Sequence, residues 1–140
     1  MNTQFFFPKK TTLQNRSNLK LFIQSIFKKE KTKALELNII FCSDEFLLNI
    51  NNEYLNHDYP TDIITFEISR DLNGITAEIY ISVDSVSRNS IEYQSTKKNE
   101  LHRVIFHGVL HLCGYKDKTK EEVALMRSKE DKYLNLYFKH

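Results

Sequence analysis

Glycine and proline are scarce in this chain, at three and two of its 140 residues, so long flexible linkers between separate units are excluded. The two cysteines, Cys42 and Cys113, are too few for a disulfide framework. Each sits in an apolar run and is expected as a buried thiol of a reducing compartment. No stretch approaches the ~20 apolar residues of a membrane span. Residues 1–10 place their apolar run, 5–7, ahead of the charges, the wrong order for a signal peptide. The expectation is a soluble, cytoplasmic protein with no membrane partner. Neither charge sign dominates, the net being +2, and 41% hydrophobic with 27% charged residues excludes a disordered tail or a collagen-like fibre.

What charge there is divides unevenly. Residues 1–33 hold eight Lys/Arg against the single acid Glu30. Residues 34–96 hold two bases against eleven acids, and 97–140 hold ten bases against six acids. Basic ends around an acidic middle permit a polyanionic partner without demonstrating one.

A chain of this length fits one domain, 1–140. Residues 4–7 read as a short strand broken by Pro8. Across 13–31, Leu19, Phe22, Ile23, Ile26 and Phe27 recur at helical spacing with lysines between them, which predicts an amphipathic helix with a basic outer face. Residues 35–42 read as a strand, and Ser43 or Asp44 as the cap of a helix over 46–54. Two further strands, 61–68 and 76–83, flank turn chemistry at 71–74 and are expected to pair as a hairpin. Helices over 85–94, 97–113 and 119–138 complete the chain, the last with Thr119 and Glu122 spaced as a capping box. Strands mixed with helices, with a hairpin in the middle, predict a small α+β layer fold.

Chemistry concentrates in 101–113, LHRVIFHGVLHLC, an expected helix buried nearly all round. His107 and His111 are four residues apart and so share one helix face, where two imidazoles can reach one metal ion. Gly108 costs a mid-helix position about 1 kcal/mol against alanine. Close approach of a neighbouring backbone or a substrate is the expected compensation. Gly114 falls where a left-handed C-terminal cap belongs, and Asp117 three residues on can swing a carboxylate beside the imidazoles. Two nitrogens and one oxygen with open positions is the ligand count of a catalytic rather than a closed structural site. The spacing also mimics a zinc peptidase, in which the residue after the first histidine is a general-base Glu. Here it is Gly108, so a zinc-dependent peptidase-like hydrolase is only a minor alternative.

The run His107-Gly108-Val109-Leu110-His111-Leu112-Cys113-Gly114-Tyr115 resembles the HGxLHLxGYDH motif of the YbeY family of bacterial endoribonucleases. Asn51-Asn52-Glu53-Tyr54, then Pro60-Thr61-Asp62-Ile63-Ile64-Thr65-Phe66, resembles that family's LNxxYR and PTDVLSF blocks. Ala77-Glu78-Ile79-Tyr80-Ile81-Ser82 resembles its GDIxIS strand. The resemblance spans roughly residues 35–134 and implies an α+β single domain, a mixed sheet of about four strands flanked by helices with the metal site at the end of a buried central helix. It implies a metal-dependent, single-strand-specific endoribonuclease of ribosomal RNA maturation, notably at the 3′ end of 16S rRNA, and of ribosome quality control. The implied partners are ribosomal RNA and the small ribosomal subunit. The implied cofactor is one divalent metal, zinc foremost, on His107, His111 and Asp117. A non-catalytic ribosome-assembly factor with a structural metal is the rival from another class.

Two departures stand out. Asp117 occupies the place of the family's third histidine, and Leu55 the place of an arginine. His57 and Arg103 are candidates to replace that arginine. Lys20, Lys28, Lys29 and Arg103 are candidate contacts to the RNA. His57 otherwise reads as solvated, His102 as partly buried and structural, His140 as frayed, and Cys113 as a packed thiol. Asp62 matches a motif position and can serve its loop or a substrate. Phe22, Phe27, Tyr133, Tyr137 and Phe138 read as core.

Overall fold

A computed structural model describes residues 1–55 and 61–139. His57 and His140 therefore lie outside the described residues, as does the side chain of Leu55. The element order is β1 (Asn2–Phe6), α1 (Arg16–Lys29), β2 (Ala34–Cys42), α2 (Asp44–Leu55), β3 (Ile63–Asp71), β4 (Gly74–Ser82), α3 (Val83–Glu92), α4 (Lys97–Leu112) and α5 (Lys120–Tyr137). It is the expected α+β single domain.

Boundaries move where local chemistry overrides periodicity. α1 begins at Arg16 rather than 13 because Asn15 takes a left-handed conformation, φ 56°, and redirects the chain while Leu13 packs into the core. α2 begins at Asp44: the Ser43 hydroxyl accepts the Phe46 N–H at 3.1 Å. Asp44 turns elsewhere, accepting from Ser82 Oγ at 2.5 Å, Ser85 Oγ at 2.9 Å and Arg88 at 2.5 Å. Ser82, Thr96 and Thr119 cap α3, α4 and α5, the last as the reciprocal capping box.

The sheet runs β1-β2-β4-β3. β1 and β4 both lie parallel to β2, and β3 pairs antiparallel with β4 across the two-residue turn at Leu72 and Asn73. Alternation places Leu37, Ile39 and Phe41 of β2 and Ala77, Ile79 and Ile81 of β4 on one face, in the main core with α1, α4 and α5. α2 covers part of the opposite face over a smaller cluster of Cys42, Leu47, Ile50 and Ile64.

α4 lies on this sheet with α3 and α5 packed against it. The compensation at Gly108 is neither a backbone nor a substrate, as the sequence led us to expect. A Cβ there would sit 2.9 Å from Ile79 Cδ1 and 3.0 Å from Ile63 Cδ1, so glycine lets the helix settle onto isoleucine side chains of the sheet. Position 108 thus faces the sheet, and a peptidase-style glutamate has no room there. No helix among the described residues is long and apolar enough to cross a membrane.

Candidate metal centre

α4 ends in a Schellman turn. Gly114 takes φ 103°, its N–H donates to the His111 carbonyl at 3.0 Å, and the Tyr115 N–H donates to the Leu110 carbonyl at 3.1 Å. This reversal carries the following loop back over the helix face that bears the histidines. His107 Nε2 then lies 3.2 Å, and His111 Nε2 3.3 Å, from Asp117 Oδ2. One ligand atom from each of the three residues falls within 4.8 Å of the others.

The distal ring nitrogens are held. His107 Nδ1 is 2.6 Å from Glu130 Oε2, and His111 Nδ1 is 2.9 Å from the Tyr115 carbonyl oxygen. Both partners can only accept, so each Nδ1 donates and each neutral ring keeps its lone pair on Nε2. Two lone pairs and a carboxylate oxygen therefore converge, an acceptor-only trio that a cation matches. The trio could hold a divalent metal ion, and with the three side chains 20%, 28% and 41% exposed it opens toward solvent, as a catalytic ion requires.

Glu130, on α5, is buried at 4% exposure, and its other oxygen accepts from Arg103 at 2.9 Å. Arg103 also donates to Asp131 at 2.7 Å. Arg103, a candidate RNA contact, is thus at the centre with its charge already matched by two acids. Burial opposes ionisation of His107, but the Glu130 hydrogen bond and charge, with Asp117 and Asp62, outweigh it and raise its pKa. Burial also pushes the Asp62 carboxyl above the usual range, only partly countered by His107.

A cleft of about 640 Å³ opens beside His107 and Asp117, lined also by Asp62, Arg103, Lys120 and Arg127. Exposed Tyr93 stands at the same cleft. Lys28 and Lys29 are exposed in the last turn of α1, whereas Lys20 is exposed further back, its Nζ 5.7 Å over the Phe5 ring.

His102 is more deeply buried than its sequence suggested, at 2% exposure, its Nδ1 on the Lys98 carbonyl and its ring stacked on Tyr137. Cys113 is half-buried rather than buried, and burial pushes its thiol up to about 11, which disfavours the thiolate a metal would need. Sequence reasoning passed over Glu130 and the Tyr115 carbonyl. Glu130 left one signal, an acid four residues after Met126 and three before Tyr133 on the buried stripe of α5.

Residues 6–137 match the family model described as Endoribonuclease YbeY. Among curated proteins, the Endoribonuclease YbeY of Cytophaga hutchinsonii is 52% identical over 96% of this chain and 95% of its own length. That of Karelsulcia muelleri is 44% identical over 93% and 92%. The solution structure of TM1509 from Thermotoga maritima superposes with a TM-score of 0.62 at 26% identity, covering 99% of this chain and 89% of that one.

Proposed function

The chain belongs to the Endoribonuclease YbeY family, and from that premise we propose that it hydrolyses single-stranded RNA at the centre formed by His107, His111 and Asp117. It is an endoribonuclease of ribosomal RNA processing, and neither a peptidase nor a metal-stapled assembly factor is favoured. The 3′ end of 16S rRNA is the substrate region we assign, the small ribosomal subunit the setting, and the cytoplasm the compartment. The carrying observation is the convergence of two Nε2 lone pairs and one carboxylate oxygen, each imidazole pinned through its Nδ1.

His107, His111 and Asp117 would hold one divalent ion, zinc in our reading, since two imidazoles and a carboxylate suit it. When bound, such an ion activates a water and polarises a phosphoryl oxygen. Glu130 and the Tyr115 carbonyl fix each neutral ring in the tautomer with its lone pair on Nε2 and aim that atom. Asp62, a cleft carboxyl raised by burial, is a group suited to hold a proton and hand it to the leaving oxygen. Tyr93 offers an exposed ring face to an unstacked base, and Lys120 and Arg127 offer charge to phosphates. Lys20, Lys28 and Lys29 add to that hold from α1, and Arg103, held by Glu130 and Asp131, stands in the cleft wall.

The test is end-labelled RNA presented as single strand and as duplex to the parent and to His111→Ala. The parent should cut the single strand alone, and the variant should cut neither. A variant that cuts at the parent rate would remove the centre from the reaction.

A further inference from the structure

Glu30 breaks local rules. It is the C-cap residue of α1, where a carboxylate meets the negative end of the helix dipole. It is also the single acid among residues 1–33, and its side chain is only 11% exposed. An acid placed against both the helix dipole and burial calls for a long-range reason.

Its partners supply one. Glu30 Oε1 accepts the Tyr115 hydroxyl at 2.6 Å, while Oε2 accepts the Tyr133 hydroxyl and pairs with Lys129 Nζ at 3.4 Å. Lys129 Nζ also lies 5.4 Å over the Tyr115 ring. Burial alone would push this carboxyl up, but the two phenol hydrogen bonds and Lys129 outweigh it, leaving it below its usual range and charged at neutral pH. Tyr115 is the residue whose carbonyl holds His111 Nδ1 at 2.9 Å. One residue is therefore gripped at its hydroxyl by α1 and applied at its carbonyl to a ligand. Two residues later the same loop presents Asp117, 3.3 Å from His111 Nε2.

We propose that Glu30 is a positioning residue of the metal centre. By holding the Tyr115 hydroxyl it fixes the turn after α4, so that the Tyr115 carbonyl stays on His111 and Asp117 stays beside the imidazoles. The proposal rests on the reading that His107, His111 and Asp117 bind a divalent ion. Loss of the grip removes no ligand but lets the loop that carries Asp117 and the Tyr115 carbonyl move, so affinity falls because more order must be imposed on binding.

The full chain, stripped of metal, is titrated with cobalt(II) and followed by visible absorption, beside thermal unfolding of the metal-free protein. Tyr115→Phe removes only the hydroxyl, and Glu30→Gln keeps the shape while removing the charge. Tyr115→Phe should weaken cobalt binding about tenfold, the low end for residues behind a ligand, and shift the absorption bands. Glu30→Gln should weaken it less, and the double variant no more than Tyr115→Phe alone, since both act through one bond. Lowered unfolding temperatures with parental cobalt affinity and spectrum would make Glu30 a mere fold staple and overturn the proposal. Were Glu30→Gln to fold poorly, Tyr115→Phe, which keeps its ring, decides alone. A parent that binds no cobalt overturns the reading of the centre itself, and the proposal with it.

Discussion

Glu130→Gln is the sharpest probe of how the centre is built. The side chain is 6% exposed, between His107 Nδ1 at 2.6 Å and Arg103 at 2.9 Å, and Arg103 is 16% exposed. Glutamine fits the same volume but carries one acceptor and one donor at its tip. Turned one way its NH2 faces the His107 N–H, and turned the other it faces the guanidinium. Either orientation leaves a buried donor against a donor. Breaking a buried pair from one side costs about 3–5 kcal/mol. Arg103 keeps Asp131 at 2.7 Å, so roughly 2–3 kcal/mol of metal-free stability should be lost. Zinc affinity should fall about 10–100-fold, or ~1.4–2.8 kcal/mol. Urea unfolding of metal-free protein reads the first number, and calorimetric zinc titration the second. Asp131→Asn is the control: Asp131 is 53% exposed and meets Arg103 at the surface, so metal binding should be untouched. If Glu130→Gln bound zinc within twofold of the parent, the carboxylate would not be orienting His107 and the reasoning would fail.

Three other outcomes are expected. Asp117→Ala leaves two ligands and should lose most metal affinity in the same titration, whereas Asp117→His should keep it and narrow tolerance toward manganese relative to zinc. Replacing Lys20, Lys28 and Lys29 together should flatten the slope of log affinity for single-stranded RNA against log salt by about 2, with an unchanged unfolding midpoint because all three are exposed; an unchanged slope would return α1 to a solvated face. The Asp44 carboxyl is held down at about 2, chiefly by Arg88, against the opposing effect of burial and with help from Ser82 and Ser85. A depressed folded-state pKa gives stability that is full above pH ~4 and lost as pH falls toward about 2. At 39% side-chain exposure screening should hold it to about 1 kcal/mol or less. Asp44→Asn should reduce the acid-side slope in urea unfolding measured between pH 5 and 2, while the other depressed carboxyls, Glu30 among them, keep the remainder.

Much of the fold was legible because its signals are local. The apolar spacing of Leu19, Ile23 and Ile26, the Thr119–Glu122 box and the turn before Gly74 each act within a few residues. The pairing of His107 with His111 and the glycine cap at 114 are equally local, and from them the position of Asp117 followed. What was hidden is long-range. Glu130 reaches His107 across 23 residues of sequence, and Glu30 reaches Tyr115 across 85. Periodicity locates the stripe on which Glu130 sits but not the imidazole opposite. Gly108 was legible as a cost, yet its cause lies in Ile63 and Ile79, on strands whose register only the folded sheet fixes. The Tyr115 contribution comes from a backbone carbonyl, which no residue type announces.

The central claim is that one divalent ion on His107, His111 and Asp117 is required for RNA cleavage. Metal-free protein, verified by elemental analysis, is mixed with increasing zinc, and cleavage of a single-stranded RNA is followed at each addition. Activity should be absent without metal, rise linearly and saturate at one equivalent per chain. Parental cleavage by verified metal-free protein would contradict the account.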